Sequence, residues 1–233
     1  MTGQDHVDVA RRVFLENGDS YPDIANYCTL GLDKFWKRRI MAALPPSPRR
    51  LIDQACGTGI VTLQIARKYP DCHVVGVDLV AEYLDIARAR AAAEGLTNVE
   101  VHHGPAEDVL LGGGFDCITS SYLAKYCDLD KLIQNAATML VPGGKLVMHD
   151  FSLPVSPFYR LLWELHMKYL KLVGPIPYPQ WKTAFEEVPE VIRGSDWVQR
   201  LPRLLAANGF GEIETRWLAF QGAALVTAVK KGA

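Results

Sequence analysis

No charge of either sign dominates this chain: 25 lysines and arginines stand against 26 aspartates and glutamates, a formal net charge of -1. A global basic field that would recruit nucleic acid is therefore missing, and none is expected as a partner. No uninterrupted apolar run is long enough to cross a bilayer, and the opening MTGQDHVDVARR has no apolar signal core. The expectation is a soluble, cytoplasmic protein. Cysteine is sparse and unpatterned: Cys28, Cys56, Cys72, Cys117 and Cys127 are odd in number and lack CxxC spacing. That speaks for reduced thiols over a zinc site or a disulfide framework, and no metal is expected. Internal repeats and low-complexity tracts are also lacking.

What is present is apolar material, 49% of 233 residues, enough for one sizeable core with appendages. Helical spacing marks residues 5–17, ending at Gly18, and again 32–44, stopped by Pro45-Pro46-Ser47-Pro48. From there strands at 50–55, 73–78, 99–103, 115–121 and 145–151 alternate with helices at 60–68, 81–94 and 129–140. Parallel neighbours need crossover helices, so this alternation predicts a doubly wound parallel sheet. Strands at 212–219 and 223–230, joined by Phe220-Gln221-Gly222, read as a closing antiparallel hairpin. The expected organisation is a helical cap (1–48), a Rossmann-like core (49–151), a helical insertion or lid (152–199), and a C-terminal helix with the hairpin (200–233).

The most informative stretch is LIDQACGTGIVT, residues 51–62. A strand ends in Asp53, and Gly57 and Gly59 then let the chain turn into a helix and let a ligand approach the backbone. The second strand, HVVGVD, ends in Asp78, an acid placed to accept both hydrogens of a ribose diol. The competing role for Asp78 is a helix cap. A dinucleotide turn would carry a third glycine where Thr62 stands, and Asp53 would repel a pyrophosphate but attract an ammonium or sulfonium. Ligands of such sheets bind beyond the carboxyl ends of the strands. Asp53, Asp78, the run His103-Gly104-Pro105-Ala106-Glu107, Ser121-Tyr122 and Asp150 all fall there.

These motifs resemble motif I and its companions in class I S-adenosylmethionine (SAM) methyltransferases, with Ala55 at the first glycine of D-x-G-x-G-x-G. The resemblance implies a seven-stranded, mostly parallel Rossmann-like α/β sheet with an antiparallel C-terminal hairpin. It implies SAM as cofactor and S-adenosylhomocysteine as product. Cofactor contacts are then expected from Asp53, Ala55, Gly57, Gly59, Asp78, Leu79, Ala106, Glu107 and Ser121. Pro105 stands where relatives place an adenine-binding Asp or Asn.

Four blocks narrow the resemblance to the ubiquinone/menaquinone-biosynthesis C-methyltransferases: LGLDKFWKRRI, FDCITSSYLAKYCD, LVPGGKLVMHDFSLP and the closing NGF. By that likeness the acceptor is an apolar aromatic or quinol-like small molecule methylated at carbon, with O- or N-methylation of another natural product as the alternative. Lys125-Tyr126 replaces the family's Arg-Asn. Lysine is a flexible point charge and no isostere of a guanidinium. Lys125, Tyr126, His149 and Asp150 are the candidate bases, and alternation along the strand predicts that only one of His149 and Asp150 faces the cleft. Tyr122, Tyr159, Trp163, Met167 and Trp181 are the candidate acceptor contacts, while His166 reads as a packing residue. Lys34, Lys37, Arg38 and Arg39 read as a solvated basic face or a contact for anionic headgroups. A homodimer and peripheral membrane contact are left open. Two other classes also stay open: a nicotinamide-dependent oxidoreductase, and a SAM-fold binding subunit without turnover.

Overall fold

The computed structural model describes residues 10, 12–14 and 20–232. The helix expected over 5–17 lies mostly outside them, although residues 10 and 12–14 are helical. Helices α1 (Tyr21–Cys28) and α2 (Leu32–Ala43) precede the sheet. Pro45 to Pro48 then carry the chain into β1 (Arg50–Gln54), where helix is disfavoured before each proline. The winding continues through α3 (Ile60–Lys68), β2 (His73–Asp78), α4 (Ala81–Ala93), β3 (Val99–His103), β4 (Phe115–Ser121), α5 (Leu129–Met139) and β5 (Leu140–Phe151). An insertion follows, with α6 (Pro157–Val173), a short 3-10 turn (Pro179–Trp181) and α7 (Lys182–Gly194). Helix α8 (Trp197–Ala207) leads to the hairpin β6 (Phe210–Leu218) and β7 (Ala223–Lys230). The expected boundary at 199/200 thus cuts through α8, whose buried Trp197 and Val198 already belong to the core.

The sheet order is β3-β2-β1-β4-β5-β7-β6. Strands β1 to β5 run parallel, and β7 is antiparallel to both β5 and β6. The order reverses between β1 and β4, which is where ligands bind in such sheets. Alternating side chains feed two cores. Ile52, Val75, Ile118 and Leu146 pack on α5 and α8, while Leu51, Val74, Cys117 and Val147 pack on α2 and α3. A third cluster joins the N-terminal helices to the insertion through Ile24, Leu170, Trp181 and Phe185, with Tyr126 from the loop after β4.

Strand β5 starts at Leu140, five residues before the expected Lys145. Leu140 pairs with Phe115 across a register shift, so Pro142-Gly143-Gly144 forms an irregularity within the strand. Gly143 has φ +79°, and a Cβ on Gly144 would come within 2.8 Å of the Val141 carbonyl. The prolyl-glycyl run reads as a stop in sequence, but Leu140 before it and Lys145 after it both pair with β4, so the strand resumes beyond the run.

Candidate active site

The first two turns of the winding are tied together by one carboxylate. After Gln54 the chain reverses through Ala55 (φ +55°), Gly57 (φ +56°) and Gly59 (φ +83°). The Gly57 amide donates to Asp78 Oδ2 at 2.7 Å, and the Val80 amide donates to Asp78 Oδ1 at 2.9 Å. Asp78 therefore sits between the glycine turn and the start of α4, with lone pairs remaining on both oxygens. Burial raises its pKa, opposed by these amides. Asp53 lies deeper and accepts from the Thr62 hydroxyl at 2.6 Å, and burial pushes it up to about 7. Thr62, at the third-glycine position, so locks α3 to the end of β1.

Beside these turns lies a cavity of about 120 Å³. Asp53, Ala55, Gly57, Asp78, Leu79, Ala106, Glu107 and Ser121 border it, so all the expected cofactor contacts except Gly59 converge there. Gly59 has a packing role: a Cβ on it would stand 3.1 Å from Ala87 Cβ of α4. Glu107 is buried and accepts from the Asp128 amide at 3.5 Å. Tyr21 and Tyr83 add aromatic walls. Two thiols, Cys56 and Cys127, border the cavity as well. Burial and then nearby carboxylates raise the pKa of both, and Cys56 packs so closely on β2 that a Cβ on Gly76 would fall 2.9 Å from its sulfur.

A second cavity of about 110 Å³ adjoins the first, sharing Phe14, Tyr21, Tyr122 and Tyr126 as common walls. Its lining is apolar, with Met167, Leu170, Trp181 and Phe185 from the insertion, and Lys125 is its single charged residue. Lys125 is buried, donating to Asp150 Oδ1 at 2.6 Å and to the Tyr122 carbonyl at 3.1 Å. The rings of Tyr126, Tyr122 and Phe151 surround its ammonium at 4.4, 5.5 and 5.5 Å. Burial lowers the Lys125 pKa and raises that of Asp150, each opposed by the other's charge. Two of the three ammonium protons are engaged, which leaves one for a ligand.

His149 is also buried but borders neither cavity. Its Nδ1 meets the Ser121 hydroxyl at 3.1 Å, and burial drives its pKa to about 3, so it is neutral. Both alternating residues of β5 are inside: Asp150 reaches the cavity edge through Lys125, and His149 packs against Trp36 and Tyr122. Tyr159 and Trp163 do not line the second cavity. Tyr159 packs on Phe220, and Trp163 lies under the Arg193 guanidinium. His166 is held by the Cys28 carbonyl at 2.8 Å.

Tyr122 stands at the junction of the cavities with φ +66°, a conformation that bulky residues rarely hold. It stacks on Phe151 at 4.8 Å, and its hydroxyl donates to Asp33 Oδ1 at 2.8 Å. Asp33 also pairs with Lys37, and both are buried. Lys37 therefore leaves the solvated basic face expected of residues 34–39 and borders the first cavity, whereas Lys34, Arg38 and Arg39 are exposed. Asp33 is absent from the candidate residues and Lys37 reads only as part of the basic face, yet their i, i+4 spacing on α2 is an available signal. Tyr83 was missed too. Its hydroxyl and that of Tyr126 are buried with no hydrogen-bond partner among the described residues.

These residues fit SAM. A rim carboxylate suits a sugar diol, exposed glycine backbone suits an amino-acid portion, and apolar walls at Leu79 and Ala106 suit a base, while the two orphaned phenols need a ligand or water. Comparison with known proteins agrees. A family model described as "Methyltransferase domain" matches residues 47–209. Demethylmenaquinone methyltransferase of Deinococcus radiodurans is 28% identical over 211 residues, covering 89% of this chain and 87% of its own. The same enzyme of Thermus thermophilus is 29% identical over 204 residues, covering 85% and 91%. Among solved structures, geranyl diphosphate C-methyltransferase of Streptomyces coelicolor, in complex with Mg2+, geranyl-S-thiolodiphosphate and S-adenosylhomocysteine, aligns with TM-score 0.64 at 17% identity, over 85% of this chain and 76% of that one. Phosphoethanolamine N-methyltransferase 2 of Haemonchus contortus with SAM aligns with TM-score 0.68 at 15% identity, over 100% and 60%. The chain belongs to the methyltransferase domain family, and it is a SAM-dependent methyltransferase.

Proposed function

We propose that this chain methylates a ring carbon of an apolar aromatic or quinol-like acceptor seated in the second cavity. The observation that carries the reading is the junction of the two cavities, one polar-rimmed and one apolar with a single buried ammonium. The curated relatives named demethylmenaquinone methyltransferase support the quinol class.

Bound SAM supplies an already activated methyl, so the protein's main task is alignment, which can lower a barrier by roughly 7–11 kcal/mol. Asp78 takes the sugar diol and the Gly57 turn the amino-acid portion. Asp53, Ala55, Leu79, Ala106, Glu107 and Ser121 shape the rest of the cleft. Tyr122, Met167 and Trp181 hold the acceptor ring. Its hydroxyl meets the free proton position of Lys125. Lys125 passes the proton of its Asp150 contact to Oδ1, 2.6 Å away, and the amine lone pair so freed turns about the Cε–Nζ bond to take the proton of the hydroxyl. The result is a phenolate beside an ammonium and a neutral acid. The lowered Lys125 and raised Asp150 pKa values both favour this relay. The phenolate places electron density on the ring carbon, which takes the methyl; its C–H proton then leaves to solvent, restoring the aromatic phenolate, which takes a proton back from Nζ as Asp150 returns one to Lys125. Tyr126 is a wall of the site, and neutral His149 a positioning residue behind Tyr122.

The test is methyl transfer from labelled SAM to a panel of quinols, naphthols and amines, with product mass spectrometry to place the methyl. Carbon methylation of quinols, lost by about a hundredfold or more in Lys125→Met with unchanged S-adenosylhomocysteine affinity, is expected. Exclusive O- or N-methylation refutes the carbon assignment. Asp78→Ala should weaken cofactor binding at least tenfold, roughly 1.4 kcal/mol.

A further inference from the structure

Helix α6 is apolar on two opposite sides. Its inner side gives Met167 and Leu170 to the second cavity. On its outer side Phe158, Leu161, Leu162, Leu165, Tyr169 and Leu172 recur at i, i+3, i+4, i+7, i+11 and i+14, a single helical stripe. All six are exposed, Leu172 to 77%, and Ile176 just past the helix to 78%. Contiguous apolar surface of this kind marks an interaction site.

The charges beside the stripe identify what covers it. Arg160, Lys168 and Lys171 form a row along one edge, all exposed, with no ion pair among the described residues. The helix's acid, Glu164, is already held by Arg193 at 2.6 Å. A second copy laid on this face would bring the same cations and no free acid from the helix. An anionic lipid surface answers both features, taking the leucines into the acyl boundary and the lysines at the headgroups. We infer that the outer face of α6 seats the protein on anionic membrane. The inner face of the same helix walls the apolar cavity, so this docking brings that cavity next to the lipid, where apolar acceptors partition. The inference concerns where the protein works and stands apart from the chemistry proposed above.

Flotation with phosphatidylcholine vesicles, with and without phosphatidylglycerol, tests it. The protein is expected to float with the anionic vesicles and to be released by salt. Leu161→Glu with Leu165→Glu should reduce binding about tenfold or more, and Lys168→Glu with Lys171→Glu should abolish the preference for anionic lipid. S-adenosylhomocysteine titration of each variant should match the parent, which shows an intact fold and keeps this test separate from the methyl-transfer one. No flotation, or flotation indifferent to these variants, overturns the inference. So does sedimentation that reveals a dimer dispersed by the leucine changes in the absence of lipid.

Discussion

Breaking the Lys125–Asp150 pair from either end should not cost the same. Both side chains are buried, at 2% and 0% exposure, so neither charge regains water when its partner goes. Asp150→Asn leaves an ammonium without a counter-charge, held by three rings, the Tyr122 carbonyl and the amide oxygen at position 150. An uncompensated buried charge of this kind costs about 3–5 kcal/mol. Lys125→Met leaves a carboxylate that still accepts from the Phe151 amide at 2.7 Å and the Lys125 backbone amide at 3.2 Å. Either survivor can neutralise, Asp150 by taking a proton and Lys125 by losing one, so the difference rests on the two backbone donors that only Asp150 keeps. The loss there should be smaller, about 1–3 kcal/mol. The double variant places Met beside a neutral amide and removes the charge imbalance, so it should recover about 2 kcal/mol of the summed losses. Urea unfolding with a constant slope reads all three. Additivity within about 0.5 kcal/mol, or a greater loss in Lys125→Met than in Asp150→Asn, would refute a desolvated pair.

Two further outcomes follow from the first βα turn. Asp53, pushed up to about 7, favours its protonated form in the fold; its contribution is complete below the unfolded value and is lost as pH rises through 7. Asp53→Asn should therefore match the parent near pH 4 and exceed it at pH 8 by at most roughly 4 kcal/mol, and thermal melts showing no such divergence contradict the burial assignment. Ala55→Gly should relieve the left-handed Ala55 and raise stability by about 1 kcal/mol, whereas a fall in the urea midpoint would mean that the methyl's packing outweighs the strain.

Much of the fold is readable from periodicity. The bounds of β2, β3, β4 and α3 coincide with the runs HVVGVD, VEVHH, FDCITSS and IVTLQIARK, because each is closed by a turn residue or an acid at the sheet edge. The start of β5 is not readable, because pairing with Phe115 overrides a Pro-Gly-Gly run that locally favours a break. The residues around the first cavity are legible for a related reason: short turns after β1, β2 and β3 bring them to it within a few positions. The second cavity is different. Its walls come from residues 14, 21, 122, 167 and 181, brought together by packing of the cap on the insertion, and no local pattern encodes that. Lys37 shows the same limit. Its helix reads as basic and solvated, and only Asp33 with Tyr122, 89 residues further on, explains why it is inside.

The two thiols in the cleft raise a question of self-preservation. A sulfonium alkylates the best nucleophile within reach, and sulfur anions are among the best that a protein owns. Cys56 and Cys127 are protected from that fate because burial and then neighbouring acids raise their pKa well above the usual thiol value. The catalyst thereby keeps its donor from being squandered on its own walls, and a substitution that lets a cation or solvent reach either sulfur would turn it into its own slow victim.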